Sequence, residues 1–405
     1  MTLAFPVAMK FAVKTWSNGK ARAGQLQLGS CPSPMETPAL LLSTRKGLPL
    51  FISPDLLPDL PYPDSALLHV SPLHFVETMS PNIISKLGGL NQMLGLHRHA
   101  FAAFPRDSVQ CLPEFDSSNK LGASFDTPSG RRLIKPVDYM ELICSLKPSL
   151  WATLADEVPG WVSDHRNKAS VDRTVKWLDD CISQSPASGA VFGAIVGGSD
   201  KEQRKRCALE VSKRNISGYW IGGFGFGESM DDRPALLNEV TDHLPGERPR
   251  LISGLGLPEE VLQGVAAGID LFDSSYIYHL TLGGFALTFP LDLLNLAEEF
   301  PEKTMGIDQS KINLKATVYR KDTGPIVEGC VCYTCRNHTR AYINHLLNVH
   351  EMLAQILLEI HNTHHYLGFF QAIRSAIKED KFERFCDMFL QKRRDHLTAA
   401  VAVGA

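Results

Sequence analysis

The chain has 405 residues, of which 44% are hydrophobic and 21% charged, and this length and composition predict two or three globular domains or one large α/β barrel with an appendage. With 41 basic against 44 acidic residues the net charge is −3, so any nucleic-acid binding must rest on local patches rather than on the whole surface. No apolar run reaches the roughly 18 uncharged residues of a membrane-spanning helix, which argues against a membrane span.

The N-terminal segment, residues 1–35, contains no acidic residue and in this respect resembles a transit peptide. It has few arginines, however, and the alternating pattern of Lys10–Trp16 predicts a basic first strand, which we favour. Two further apolar runs, Ala39–Leu42 and Ala66–Val70, predict the strands that follow.

The middle third of the chain alternates between two patterns. Stretches with helical periodicity occupy Val171–Ser185 and Lys201–Lys213, and a third begins at Pro258 with acidic residues beside it. Strands that are apolar throughout and alternate with helices indicate a parallel sheet buried on both faces. Five such units and the earlier runs favour a (β/α)8 barrel over an open, doubly wound sheet. The five apolar runs are Leu150–Asp156, Ala190–Val196, Gly218–Gly222, Arg250–Gly254 and Ile269–Asp273.

The last seventy residues are helical in pattern and predict an appendage. The barrel is expected over residues 1–320, a zinc-binding subdomain over 321–365, and helices that complete the barrel domain over 366–405. The predicted helices are Arg340–Leu347, Glu351–Ile360, Tyr366–Ile377 and Asp380–Gln391.

The second of these helices carries more apolar side chains than one narrow stripe can turn inward. Two apolar faces suggest one face for the barrel and another for a second subunit. The side chains concerned are Met352, Leu353, Ile356, Leu357 and Leu358.

Three of the nine cysteines are concentrated in the segment Cys330-Val-Cys332-Tyr-Thr-Cys335. An odd number of cysteines in a long chain favours reduced thiols and a cytoplasmic location. Three thiolates this close suit a tetrahedral Zn²⁺ that needs one more nitrogen or sulfur ligand, and a site with four protein ligands is structural rather than catalytic. Three thiols without a metal are the disfavoured alternative.

The residues alone leave the fourth ligand open. His361 lies 26 residues beyond Cys335, and one straight helix of that length would carry it more than about 30 Å away. It can therefore ligate only if the helix breaks, for which Asn348-Val349 is the candidate. The other histidines in reach are His338, His345, His350, His364 and His365.

Carboxylates follow two of the predicted strands, at the barrel end where enzymes place catalytic groups. Asp156 and Glu157 end one apolar run, and Asp270 and Asp273 lie in another. A carboxylate there can act as nucleophile or general base, and it can equally cap the next helix.

A glycine-rich segment and two basic runs remain. Gly222–Glu228 resembles a phosphate-binding loop, but it lacks the dinucleotide-binding glycine spacing, so a tight turn is about as well supported. The runs Lys201–Arg206 and Lys392–Arg394 are typical of solvated helix faces, and a minority of such runs contact phosphate.

Together these motifs resemble the tRNA-guanine transglycosylase family, which exchanges the anticodon wobble guanine for queuine or its precursors. The resemblance covers about residues 10–395 and implies a (β/α)8 barrel with an inserted zinc subdomain. It also selects His361, followed by Asn362, as the fourth ligand of one Zn²⁺ per subunit beside Cys330, Cys332 and Cys335. The other anchors are Gly19–Gly24, Met35–Ala39, Asp156-Glu157, Gly193–Gly198, Gly218–Glu228, Gly254–Pro258 and Gly268–Asp273.

Three departures from the family pattern concern catalysis. Active members carry Asp-Ser-Gly-Gly-Phe-Gln with a general acid/base Asp, whereas here Arg106–Gln110 lacks the Gly-Gly-Phe. The Gln that reads the purine is replaced by Val196, which would leave a buried base edge unpaired at a cost of about 1–3 kcal/mol. The nucleophile Asp273 is retained, but Ser274–Leu280 replaces the family's Leu-Pro-Thr-Arg and its tRNA-contacting Arg.

In eukaryotes the family's enzyme is a heterodimer of a catalytic chain and a degenerate accessory chain, and this sequence is similar to the accessory chain. The resemblance implies no catalytic residue, with Asp273 and Asp156 vestigial. It further implies a catalytic partner subunit, a tRNA with a wobble guanine, dimerisation through the zinc subdomain, and a homodimer when the chain is alone. Retained queuine binding and association with the mitochondrial outer surface stay open.

Two alternatives are carried forward. In the first the chain is a self-sufficient transglycosylase, with Asp273 attacking the ribose C1′ and Asp107 or Asp156 carrying the proton. In the second it is an unrelated barrel enzyme that binds a phosphorylated substrate at the Gly222–Gly227 loop; the zinc-ligand spacing speaks against this.

Overall fold

The computed structural model describes residues 9–29, 31–76, 81–184, 189–273, 275–295 and 310–391. The strands in these ranges are β1 Met9–Trp16, β2 Arg22–Leu28, β3 Met35–Thr37, β4 Ala39–Ser43, β5 Leu67–Val70, β6 Ala100–Ala103, β7 Leu112–Pro113, β8 Ala123–Thr127, β9 Gly130–Ile134, β10 Leu150–Ala152, β11 Ala190–Ile195, β12 Gly218–Ile221, β13 Arg250–Ser253, β14 Leu271–Asp273, β15 Phe285–Leu287 and β16 Lys311–Asn313.

The α-helices are α1 Pro81–Lys86, α2 Leu90–Leu94, α3 Pro136–Leu146, α4 Asp164–Ser183, α5 Lys201–Ser212, α6 Arg233–Thr241, α7 Pro258–Ala266, α8 Tyr276–Gly283, α9 Tyr333–Asn337, α10 Arg340–Asn348, α11 Leu353–Lys378 and α12, residues 382–391. Short 3-10 turns occur at Leu57–Asp59, Pro72–Phe75, Leu293–Asn295 and Thr317–Lys321. No helix in the described ranges is long and apolar enough to cross a membrane.

The described residues form two compact units. The first contains residues 9–15, 19–50 and 63–275, and the second contains residues 16–18, 51–62 and 276–391. The domain boundaries expected from the sequence, at residues 320 and 365, stay a prediction.

The first unit contains a closed barrel of eight parallel strands in the order β4-β5-β6-β10-β11-β12-β13-β14. Most of its strand residues are fully buried, as the uninterrupted apolar runs predict. The barrel fold is therefore confirmed, including the seven strands that the apolar runs indicate. The eighth, β6, was missed because Ala-Phe-Ala-Ala has little of the β-branched and aromatic content that marks strands.

A small antiparallel sheet, β1-β2-β3, precedes the barrel, and its Arg22 is fully buried. The Arg22 guanidinium binds both oxygens of Asp270 at 2.9 and 2.6 Å and also donates to the carbonyl of Gly246. Asp270 precedes β14, at the opposite end of the strand from Asp273. Asp270 is therefore part of a structural ion pair and is not one of the candidate catalytic carboxylates.

The second unit contains the antiparallel pair β15-β16, α8 and the C-terminal helices. Two helices expected at Glu351–Ile360 and Tyr366–Ile377 are one continuous helix, α11. The polar residues 361–365 interrupt the apolar periodicity, but most of them are buried and hydrogen-bonded, and no Gly or Pro breaks the backbone there. α10 and α11 contribute most of a buried apolar core, formed by Ala286, Leu314, Ile326, Ile343, Leu346, Leu347, Ala354, Leu357 and Leu358.

Candidate functional site

Three sulfur atoms and one ring nitrogen converge in the second unit. The Sγ atoms of Cys330, Cys332 and Cys335 lie 4.0, 3.5 and 3.4 Å from Nδ1 of His361. All four ligand atoms lie within 4.8 Å of one another. This is the Cys₃His set that the family resemblance selects, and it could hold one metal ion.

Local structure places the three cysteines. The Sγ of Cys332 caps α9 by accepting the backbone N–H of Cys335 at 3.3 Å. The Thr334 hydroxyl donates to the carbonyl of Leu357 at 2.7 Å, which fastens α9 to α11. The cluster is therefore also held in place by contacts other than those among its four ligand atoms.

An interruption of the helix between α10 and α11 brings His361 back to the cysteines. α10 ends at Asn348, and His350 then adopts a left-handed conformation with φ of 60° before α11 begins. The break expected at Asn348-Val349 is confirmed. The two helices then share the apolar core described above, which is what returns α11 toward α9.

Neighbouring groups orient the histidine ring. His361 Nε2 lies 2.9 Å from the carbonyl oxygen of Leu287, which leaves Nδ1 facing the sulfurs. The adjacent Asn362 accepts the backbone N–H of Leu287 at 2.9 Å and donates to the carbonyl of Phe285 at 2.9 Å. Such outer contacts fix the tautomer of a metal-binding histidine.

Two of the other histidine candidates, His338 and His365, have partners elsewhere. Nε2 of His365 lies 2.9 Å from the carbonyl oxygen of Phe289, and His338 stacks on Tyr342 with 5.4 Å between ring centroids. Among the described residues, the Cys₃His group is the one that could hold a metal ion. A set of three thiolates and one imidazole fits Zn²⁺ and leaves no open coordination position.

At the carboxyl end of β14, Asp273 is almost fully buried. Its Oδ1 lies 3.2 Å from Nδ1 of His69 and accepts the Ser43 hydroxyl at 3.4 Å. Burial opposes a charge on His69, but the carboxylate of Asp273 outweighs it and raises the pKa of the imidazole above its ordinary 6.5. The retained carboxylate is therefore held in an ion pair with a histidine.

An aromatic stack lies beside this pair. Phe104 stacks on His69 with 5.3 Å between centroids and on Trp220 with 6.1 Å. The indole N–H of Trp220 donates to the Ser253 hydroxyl at 2.9 Å. All of these side chains are buried, so aromatic rings pack against the histidine that binds Asp273.

Asp107, the residue that corresponds to the family's general acid/base, is bound to a histidine. Its Oδ2 lies 2.8 Å from Nε2 of His74, and its Oδ1 accepts the backbone N–H of Val109. Burial disfavours the charged carboxylate, but the contact with His74 outweighs it and lowers the pKa of Asp107 below its ordinary 3.8. Asp107 is thus a poor proton donor near neutral pH.

Asp156 is held by two arginines that the sequence analysis missed. Arg166 donates to both of its oxygens at 2.8 and 2.7 Å, and Arg173 donates at 3.0 Å. The same guanidinium groups also bind the carbonyls of Phe115 and Ser118, which lie near the β7-β8-β9 sheet. Both arginines lie on α4, the helix that follows this carboxylate. Basic residues on that helix were the sequence signal that could have identified the ion pairs. Asp156 therefore has a structural role as the partner of these two arginines.

Val196, in the position of the purine-reading Gln, is fully buried. It follows β11 directly, and its backbone N–H points to the Sγ of Cys207 at 3.4 Å. Its side chain has no hydrogen-bonding group to offer a base edge.

The backbone of the Gly222–Gly227 loop is already hydrogen-bonded within the protein. The N–H of Gly223 donates to Glu157 at 2.6 Å, and the N–H groups of Gly225 and Phe226 donate to Glu228 at 2.8 and 3.0 Å. Carboxylates thus occupy the donors that a phosphate would need. The positive φ of Gly223, Gly225 and Gly227 agrees with a tight turn.

The two basic runs have different outcomes. In Lys201–Arg206, Arg204 is fully buried and donates to the carbonyls of Gly198 and Gly223, whereas Arg206 pairs with Asp172 at 2.7 Å. Arg204 and Arg206 are therefore engaged within the protein. Lys392–Arg394 lies outside the described residues, and the expectation of a solvated helix face there stays a prediction.

Fold and site together define a class: an α/β barrel protein with a Cys₃His cluster near the C-terminus and a strand-end carboxylate inside a packed barrel. The chain belongs to the queuine tRNA-ribosyltransferase family, whose sequence profile matches residues 17–395. The resemblance inferred from the motifs is thereby confirmed.

Several relatives share most of the chain, and each is named queuine tRNA-ribosyltransferase accessory subunit 2. The Danio rerio protein is 34% identical over 336 residues, which cover 76% of this chain and 80% of the relative. The Homo sapiens protein is 35% identical over 331 residues, with 74% and 80% covered. The Ixodes scapularis protein is 31% identical, with 90% and 96% covered.

Proposed function

We propose that this chain is the non-catalytic accessory subunit of a heterodimeric queuine tRNA-ribosyltransferase. The catalytic partner exchanges the guanine at the wobble position of tRNA for queuine, and this chain completes the dimer and helps to position the tRNA. The names of the relatives support this function, since each is an accessory subunit 2.

The observation that carries the proposal is the state of two family site positions, the vestigial carboxylate Asp156 and Val196, which stands in the position of the purine-reading Gln. Asp156 is neutralised by Arg166 and Arg173, and Val196 has no polar group in its side chain. A purine bound here would lose the hydrogen bonds of its edge, and each unpaired polar group costs about 1–3 kcal/mol. The family scaffold is thus retained without a competent base site.

The metal proposed for the Cys₃His cluster is Zn²⁺, held by Cys330, Cys332, Cys335 and His361. When bound, it would act as a structural cross-link, because the donor set leaves no position for substrate. It would join the segment before α9 to α11 and thereby stabilise the second unit.

The second unit also presents the surface that we assign to the catalytic partner. Met352 and Leu353, at the start of α11, are 70% and 37% exposed, whereas Leu357 and Leu358 are buried in the core. Exposed apolar side chains at the start of the helix support the second apolar face that we assign to a partner. Val331, in the cysteine segment, is also exposed, and a stable interface around these residues would bury about 1,200 Å² or more.

A self-sufficient transglycosylase is the second candidate, and one observation favours it. Asp273 is retained at the end of β14, the position of a nucleophile in a barrel enzyme. Against it stand the aromatic packing beside Asp273 and its ion pair with His69.

The deciding experiment measures incorporation of labelled guanine into tRNA. The purified chain, the catalytic subunit and their mixture are compared at equal concentration. We expect incorporation by the mixture and none by this chain. A covalent tRNA adduct of this chain that is lost on Asp273→Asn would instead establish the self-sufficient enzyme.

We also propose a cytoplasmic location. Its support is that the nine cysteines, all within the described residues, are thiols rather than disulfides, as in a reducing compartment. Cell fractionation tests this location, and the mitochondrial outer-membrane fraction tests for association with that surface.

A further inference from the structure

A guanidinium group is enclosed at the carboxyl end of the barrel strands. Arg106 follows β6, and the residue is 3% exposed. Its Nη1 donates to Oε2 of Glu157 at 3.1 Å and to the carbonyl oxygen of Phe224 at 3.0 Å. Because Glu157 follows β10 and Phe224 follows β12, acceptors from two other strands converge on this cation.

An aromatic ring completes the enclosure. The central guanidinium carbon of Arg106 lies 4.1 Å from the centroid of the Phe226 ring, which is the distance of a cation–π contact. A carboxylate, a carbonyl oxygen and an aromatic face match the charge, the planar donors and the flat surface of a guanidinium. We call these three elements, the Glu157 carboxylate, the Phe224 carbonyl and the Phe226 ring, the guanidinium site.

The neighbouring backbone leaves room for the cation. Gly254 follows β13 with a φ of 88°, and a Cβ at this position would lie 2.5 Å from Nη2 of Arg106. It would also lie 2.5 Å from the carbonyl oxygen of Phe224, which is one of the two acceptors. Only glycine therefore fits where the guanidinium and its acceptor meet the segment after β13.

The guanidinium site lies just below the protein surface. Phe224 is buried, whereas Phe226 is half-buried and the adjoining Gly225 and Gly227 are exposed. The loop Gly222–Gly227 thus has one side on the enclosed cation and the other on solvent. A small cation can therefore reach the site when the arginine side chain is absent.

We propose that the guanidinium site is a binding site for guanidine-bearing cations and that Arg106 occupies it as a ligand tethered to the chain. The tether joins the segment after β6, which carries Asp107, to the loop after β12. With Arg106 in place, the site is closed to free guanidinium compounds. The proposal does not rest on the accessory function, since it concerns a small-molecule site and not the partner subunit.

The test removes the tethered ligand and offers a free one, methylguanidinium, in calorimetric titrations of the full chain. Arg106→Ala deletes the cation and leaves its acceptors in place. Methylguanidinium should bind this variant at least about tenfold more tightly than the wild type, where a tethered group competes at a millimolar or higher effective concentration. Methylurea has a similar shape without the charge and should bind Arg106→Ala at least about tenfold more weakly than methylguanidinium.

Three further variants identify the site. Arg106→Met fills the space with an unbranched apolar side chain and should bind no methylguanidinium. Adding Glu157→Gln to Arg106→Ala removes the carboxylate and should weaken binding at least about tenfold. Arg206→Ala is the matched control, because it truncates an arginine whose partner Asp172 is exposed, and it should create no binding.

Removing Arg106 leaves the Glu157 carboxylate buried, so folding is measured together with binding. The guanidinium of Arg204 lies close enough to interact with the charge of Glu157 and partly compensates it. Hydrogen exchange of the Gly222–Gly227 amides should be at least about tenfold faster in Arg106→Ala, and methylguanidinium but not methylurea should restore the protection. If the variant does not fold alone, refolding with methylguanidinium but not with methylurea supports the site, and failure with both overturns it.

Methylguanidinium binding that is equal in wild type, Arg106→Ala and Arg206→Ala, or that is absent from all three, also overturns the proposal. The exchange assay with the catalytic subunit decides the accessory function separately. Failure of the guanidinium site and failure of the accessory function are therefore distinguishable.

Discussion

Replacing Cys332 with alanine should destabilise the second unit by about 4 kcal/mol when metal is present. A structural Zn²⁺ contributes about 10–16 kcal/mol in small zinc-binding peptides, so one of four ligands accounts for about 3 kcal/mol. The Sγ of Cys332 also caps α9 through the N–H of Cys335, and losing a cap costs about 1 kcal/mol.

Hydrogen exchange of the α10 and α11 backbone amides measures this loss locally, without requiring the whole chain to unfold in one step. A difference of 4 kcal/mol lowers amide protection about a thousandfold. The measurement is made on wild type and Cys332→Ala, each with zinc and with excess chelator. With chelator the two proteins should differ only by the cap, about tenfold or less.

Cys386→Ala is the matched control, because Cys386 is a half-buried thiol of the second unit outside the cluster. It should cost about 1 kcal/mol, equally with and without chelator. A Cys332→Ala effect that chelator leaves unchanged would mean that the cysteine acts by packing alone, and the metal assignment would be refuted.

Four further results are expected. Asp273→Asn should leave guanine exchange by the heterodimer unchanged, and a loss above about tenfold in the exchange assay would contradict the non-catalytic assignment. Asp156→Asn should lower the free energy of unfolding of the first unit by about 2–3 kcal/mol in urea titrations, less than for a fully buried pair because its arginine partners are 21% exposed. Met352→Asp should weaken the heterodimer at least about tenfold in analytical ultracentrifugation, without changing the melting temperature of the chain. The pKa of His69 is raised in the folded protein. The contribution of the His69–Asp273 pair to the free energy of unfolding is therefore fully present below pH 6.5, and it is lost as the pH rises through the folded pKa. The stability difference between wild type and Asp273→Asn should therefore shrink from pH 6 to pH 9, and a constant difference would show that His69 does not titrate.

The parts of the fold that the sequence predicts are those with a strong local signal. Long apolar runs such as Ala190–Ile195 identify buried parallel strands, and the close cysteines identify the metal cluster. The strand Ala100–Ala103 has no such signal, because its burial comes from neighbouring strands rather than from its own composition. The polar interruption within α11 resembles a helix end, although hydrogen bonds from distant segments satisfy it.

The candidate site shows the same division between local and distant information. The spacing of Cys330–Cys335 is local and chemically restrictive, so it could be recognised. The pairing of Asp156 with Arg166 depends on how α4 packs, and many arginines in the chain could have been its partner.

The ion pairs of Asp156 also bear on how this chain diverged within its family. Arg166 and Arg173 bind this carboxylate and, at the same time, the carbonyls of Phe115 and Ser118. Restoring a purine-reading glutamine at position 196 by itself would therefore not regenerate a base site. The arginines would have to be replaced together with it, and each replacement alone would cost stability. The ion pairs thus make substitutions at this end of the barrel epistatic: the effect of a change at position 196 depends on whether Arg166 and Arg173 still hold Asp156.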